Sequence, residues 1–247
     1  SGTRPAVVGA IVQGLLAAGW PPKHVVVWDK HLADLRRAGF VELGERNGVR
    51  VAGSAEEGYD EKVFYPATLL GKLIWGDFEF DKKEEGIGRK SFVSKLVTQQ
   101  MTKIINVTPL LNHNLAGVSG NLYGLAMGSV DNTIRFEFTG EQFARAVPEI
   151  YALPELGDRV VLNIVDALMC QYQGEERMHL NYSSLLGQLR FSTDPVALDV
   201  LSVEELNRQR QLAKIPGLPT SSQIYTNASL LEIGVSDLRR IEVSRVP

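Results

Sequence analysis

At 247 residues, with 44% hydrophobic and 22% charged content, the chain is long enough to bury a full core and too ordinary in composition to be disordered or fibrous. A formal net charge of -3 leaves no excess of Lys and Arg to neutralise phosphates, and no basic stripe interleaves with aromatics, so nucleic acid is not an expected partner. The longest apolar runs, such as Val160 to Cys170, reach about half of the roughly 20 residues that span a bilayer, and no transmembrane helix is expected.

Pro5 to Ala18 reads as a helix, with Thr3 available as N-cap, Pro5 near the first turn, apolar residues at Val7, Val8, Ile11, Leu15 and Leu16, and Gly19 as a stop. An α/β fold normally supplies a strand first, so a strand is expected to precede this helix. A turn at Pro21 and Pro22 leads into His24 to Asp29, a β-branched run suited to a buried parallel strand. Leu32 to Leu43 then predicts a helix and Val49 to Ala52 a strand. The alternation predicts one single α/β domain with a doubly wound, mostly parallel sheet and helices on both faces.

Between residues 53 and 90 the rhythm weakens and an irregular insertion is expected. Leu73 to Phe80 alternates like an edge hairpin, and Lys82, Lys83, Glu84 and Glu85 read as a solvated turn. A helix is expected near Lys90 to Gln100, a strand over Lys103 to Val107, a helix over Gln142 to Tyr151 and a buried strand over Arg159 to Leu168. Gln188 to Phe191 predicts a shorter strand, Asp194 to Gln209 a helix with Pro195 at its first position, and Ile241 to Val246 a final strand. Ile215 to Ser222 reads as a surface loop.

Open α/β sheets bind ligands outside the carboxyl ends of their strands. On the predicted elements, Asp29, Asn112, His113, Asp166 and Asp194 all lie at or near such ends. Each has a second reading. Asp194 before Pro195 suits a helix cap, and His113 suits a hydrogen-bonded loop. Asp166, inside Val161 to Leu168, is costly to bury unless it is paired or at the strand's exit. Asp199, five positions beyond Asp194, falls about 140° around an ideal helix, so the two carboxylates do not share a face.

Gly117, Gly120, Gly124 and Gly128 form a smooth stripe if helical, suited to close packing on the sheet. The alternative is that Ser119, Gly120 and Asn121 present donors to an anion. The segment lacks the Gly-Lys-Ser/Thr of a Walker loop, and no HExxH or GxSxG occurs. Carboxylates with one histidine suit Mg²⁺, Mn²⁺ or Ca²⁺ better than structural zinc, and Asp166 and Asp194 would be the ligands of a divalent cation. Cys170 is alone, which excludes an internal disulfide and an iron-sulfur ligand set and leaves the compartment, cytoplasmic or exported, open.

Three stretches, Asn112-His-Asn-Leu-Ala-Gly-Val-Ser-Gly-Asn-Leu-Tyr-Gly124, Asn163-Ile-Val-Asp-Ala-Leu168 and Ser192-Thr-Asp-Pro-Val-Ala-Leu-Asp199, resemble in that order the bacterial and archaeal family known as domain of unknown function 362. The resemblance runs from about Pro5 to Leu206. Family members carry a Lys-x-x-Thr-His element and then a Lys-Asn pair. Here Leu110 or Leu111 stands in place of the first lysine, and Tyr123 and Gly124 replace the pair. If those lysines hold an anion in relatives, this chain is expected to bind something less charged or to have abandoned the shared activity.

Two functions are expected from the sequence. In the first, the chain is an enzyme or former enzyme that binds a small molecule, with Asp166 and Asp194 as acid/base groups or metal ligands, His113 as proton carrier, and Asn112, Ser119, Gly120, Asn121 and Asp199 as ligand contacts. In the second, it is a non-catalytic accessory protein that docks a redox or processing partner through the aromatic segment Trp75 to Phe80.

Overall fold

The computed structural model describes residues 2–66, 90–136, 139–174, 179–218 and 223–246. Contacts divide the chain into two units: Gly2–Thr102 with Met127–Arg135, and Lys103–Ala126 with Phe136–Pro247.

In the N-terminal unit, helix α1 (Pro5–Ala17) starts on a proline, whose missing N–H costs nothing in a first turn. Arg4, and not the expected Thr3, takes the N-cap position, without a side-chain cap. Strand β1 (Val26–Asp29) pairs in parallel with β2 (Arg50–Gly53), from Val26 opposite Arg50 to Asp29 opposite Gly53. The single helix expected over Leu32 to Leu43 is two, α2 (Leu32–Arg37) and α3 (Phe40–Asn47). Gly39 between them has φ 87°, a left-handed conformation that stops one helix and lets the next begin. Val12, Val25, Val27, Leu35, Phe40 and Leu43 form the core beneath them.

A short helix α4 (Ser54–Glu57) leads to β3 (Tyr59–Pro66), which pairs antiparallel with β4 (Lys90–Ser94). The helix expected over Lys90 to Gln100 is therefore a strand followed by a π turn at Leu96–Gln100. Ser91 through Ser94 are buried on both faces, so the segment carries no periodicity, and the ladder with β3 decides its conformation. The hairpin expected over Leu73 to Phe80 and the Lys82 to Glu85 turn lie outside the described residues.

The C-terminal unit is built on a sheet of β5 (Ile104–His113), β6 (Gly117–Val118), β7 (Val160–Gln171) and β8 (Ser183–Ser192), in the order β6-β5-β7-β8. Helices α5 (Asn121–Ser129) and α6 (Gly140–Tyr151) fill the connection from β5 to β7, and those two strands are parallel, as a helical crossover requires. Between β7 and β8 the described residues hold only a 3-10 turn at Leu180–Tyr182, and β8 returns antiparallel. The β5–β6 pair is antiparallel as well. The mixed α/β class thus holds, while this sheet is mixed where a mostly parallel one was expected.

Helix α7 (Pro195–Leu212) follows β8, and α8 (Gln223–Leu230) packs near it and α6. Leu110, Val118, Val165, Ala167, Leu198 and Leu206 are the core between sheet and helix. The expected strand at Ile241 to Val246 is not formed: after a 3-10 turn at Leu238–Arg240 the segment has no ladder partner among the described residues, and Val243 and Val246 are exposed. Of the four spaced glycines, only Gly124 and Gly128 are helical, whereas Gly117 lies in β6 and Gly120 just before α5.

Candidate functional site

Asp199 is the centre of a buried polar network in the C-terminal unit. It is 1% exposed and accepts three hydrogen bonds, from the backbone N–H of Asn121 (2.7 Å), the side-chain amide of Asn121 (2.8 Å) and the backbone N–H of Leu122 (2.9 Å). These are the orphan donors of the first turn of α5, so a carboxylate from α7 caps a helix distant in sequence. Asn106 on β5 extends the network, donating to the carbonyl of Asn121 (3.0 Å) and to Oδ1 of Asn163 on β7 (3.1 Å). Burial pushes the Asp199 carboxyl up to about 6, against the downward pull of the Leu122 and Asn121 donors.

Gly120 is required here, because a Cβ on it would overlap the Asp199 carboxylate. Asn106 is not among the candidates the sequence analysis names. The signal was available: an asparagine inside a buried apolar strand needs a partner, the same logic applied to Asp166.

Asp194 has a different engagement. Its Oδ1 accepts from the N–H of Ala197 (2.8 Å), an N-cap on α7, and its Oδ2 accepts from the N–H of Val235 (2.8 Å). Both oxygens are thus bound by backbone amides.

The registers show which candidates can meet. Asp166 on β7 lies opposite Pro109 on β5 and Leu189 on β8. His113 is four residues further along β5, about 13 Å toward the carboxyl end at about 3.3 Å per residue. Ser192 pairs with Asn163, three residues or about 10 Å toward the amino end of β7, and Asp194 lies beyond it. Because β8 runs antiparallel, its carboxyl end meets the amino ends of β5 and β7. His113, Asp166 and Asp194 are therefore strung along the sheet and do not share one rim.

Asp166 is itself fully buried, with Oδ1 accepting from the N–H of Leu168 at 3.3 Å. Among the described residues no group of three or more His, Cys, Asp or Glu side chains is placed to hold a metal ion. With Asp194 bonded twice and spaced well away from Asp166, this pair does not fit a shared divalent cation.

His113, at the carboxyl end of β5, is the candidate with spare chemistry. Its Nδ1 accepts from the backbone N–H groups of Ala116 (3.1 Å) and Leu115 (3.3 Å) in the turn to β6. The ring stacks on Phe143 of α6 at 5.6 Å and 12°, and lies 4.2 Å from the ring of Tyr123 on α5. Desolvation in this setting pushes its pKa down to about 4. An acceptor Nδ1 places the proton of a neutral imidazole on Nε2.

The remaining candidates divide between the two ends. Asn121 and Gly120 belong to the Asp199 network, while Asn112 (buried, paired in register with Val118) and Ser119, whose N–H donates to the Leu111 carbonyl at 2.8 Å, adjoin the His113 turn. Asp29 belongs to the N-terminal unit, where its Oδ1 accepts from the N–H of Lys30 at 2.7 Å. A groove of about 260 Å³ in that unit, lined by residues including Leu32, Arg36, Val41 and Glu45, contains none of the candidates.

A mixed α/β chain with one buried and one half-buried carboxylate capping helices, and a histidine fixed at one strand end, defines a class of site without defining a reaction. The chain belongs to the family described as Domain of unknown function (DUF362), whose pattern matches residues 1–204. No curated protein and no solved structure matches it.

Proposed function

We propose that this chain binds a small molecule at the carboxyl ends of the parallel strands β5 and β7, around His113. The observation that carries this reading is that His113 is held from three sides, by two backbone amides on Nδ1 and by two aromatic rings, while its Nε2 has no hydrogen-bond partner among the described residues. Strand ends of a parallel pair are where an α/β unit exposes such groups. Asp199 and Asp194 serve this site from a distance, by fixing α5 and α7.

Tyr123 and Gly124 stand where relatives carry a Lys-Asn pair, and Tyr123 lies against the His113 ring. A lysine's charge is thus replaced by an aromatic face, which favours a ligand with little net charge. The test is a thermal-shift screen of wild type and His113→Ala against neutral and anionic metabolites, since a ligand that binds only the folded state raises the unfolding midpoint. Stabilisation by a neutral or weakly charged compound that His113→Ala loses would support the reading. No stabilisation of wild type by any compound, or equal stabilisation of both proteins, would overturn it.

A further inference from the structure

We infer that His113 is a fixed, neutral hydrogen-bond donor to a ligand oxygen, of a carbonyl or carboxylate, and not a carrier of protons. This rests on the site proposed above and assigns the chemistry of what that site takes.

A neutral imidazole takes up a proton on the nitrogen that carries no hydrogen, so that nitrogen must be open to a proton for the ring to act as a carrier. In this chain Nδ1 is committed. Two backbone N–H groups, of Leu115 and Ala116, converge on it, and protonating Nδ1 would turn an acceptor of two bonds into a donor facing two donors. The turn from β5 to β6 fixes those amides, because His113 pairs with Gly117 and Asn112 with Val118 across it. The tautomer is consequently set by the backbone, with hydrogen on Nε2.

The ring plane is fixed as well. Phe143 is nearly parallel to it at 12°, and Tyr123 is tilted at 40°, so rotation about the side-chain torsions would break both ring contacts. Phe143 is 1% exposed and belongs to the core, and it cannot yield. His113 is half-buried, so a ligand can approach the side chain.

An accessible, oriented N–H without charge selects acceptors. A carbonyl or carboxylate oxygen meets it directly, whereas an ammonium or another bare donor gains nothing. In a partly desolvated setting such a donor also polarises a carbonyl without transferring a proton. With no positive charge on the ring, discrimination between a neutral carbonyl and a carboxylate is weak.

The experiment is nitrogen-15 NMR of the full chain labelled at histidine, with acetamide, acetate and methylammonium as probes. The expected spectrum shows the Nε2–H tautomer of His113 through neutral pH, with saturable shifts of that proton on adding acetamide or acetate and none with methylammonium. An Nδ1–H tautomer, or an imidazolium at neutral pH, would overturn the inference. So would a compound from the thermal-shift screen that binds while leaving the Nε2–H resonance unmoved; in that case the site reading survives and the donor role falls. If neither probe nor screen compound binds, both fall together. His113→Gln, which keeps an N–H donor but loses the ring and the labelled proton, should retain part of the stabilisation that a compound from the thermal-shift screen gives wild type, and complete retention with the rings Tyr123 and Phe143 also replaced would contradict the fixed geometry.

Discussion

Replacing Gly120 with alanine tests whether the Asp199 network is as rigid as its bonding implies. A Cβ at position 120 would overlap the Asp199 carboxylate, which cannot step aside without leaving donors on Asn121 and Leu122 unmet. Losing one charge-assisted bond costs about 1.5–3 kcal/mol, and overpacking adds about 1–3 kcal/mol. The reduced freedom of the unfolded alanine chain returns about 0.4–1 kcal/mol. The net expectation is a destabilisation of about 3 kcal/mol. Gly124→Ala is the matched control, because its Cβ would sit 3.5 Å from Thr108 Cγ2 inside α5, an ordinary contact, and should stabilise by about 0.5–1 kcal/mol through helix propensity. Urea unfolding with an unchanged m value reads both directly. A Gly120→Ala protein as stable as wild type, or two variants shifted alike, would refute the bonded-carboxylate account.

The pH dependence of stability should contain two opposed terms. Asp199 is raised from 3.8 to about 6, so the native state keeps its proton longer than the unfolded chain, and the contribution is full below pH 4 and lost as pH rises through 6, about 3 kcal/mol in all. His113 is lowered from 6.5 to about 4, so its contribution is full above 6.5 and lost as pH falls through 4, again about 3 kcal/mol. Between pH 4 and 6 the two nearly cancel. Thermal unfolding of Asp199→Asn should then show stability rising with pH and His113→Gln stability falling with pH, and parallel curves for the two variants would contradict both assignments. Asp194→Ala should cost about 2–4 kcal/mol, from the lost α7 cap and the stranded Val235 amide, with faster hydrogen exchange at Val235 as its signature. Asp166→Asn should leave the acetamide response of His113 unchanged, because about 13 Å of strand separates them, and a coupled response would show that the two share a ligand.

Much of the chain's local structure could be read from its residues. Pro5 starts α1, Asp194 and Pro195 start α7, and the β-branched runs at Val26 and Val160 are strands, because caps and short apolar runs act over a few neighbouring residues. The family was legible too, since its motifs are contiguous, and its pattern matches residues 1–204. Where a signal had to compete with a distant partner, reading failed. Lys90 to Ser94 became a strand because β3 was there to pair with it, and Ile241 to Val246 did not because no strand among the described residues pairs with it.

The candidate site shows the same division at higher stakes. The sequence supplied the residues: His113, Asp166, Asp194, Asp199, Asn121 and Gly120 were all singled out by type and position. What each one touches depends on strand direction, and one antiparallel return by β8 sends Asp194 to the opposite end of the sheet from His113. Residue chemistry is a local property and is written in the chain; the distance between two side chains is a property of every turn between them, and only the tertiary structure sets it.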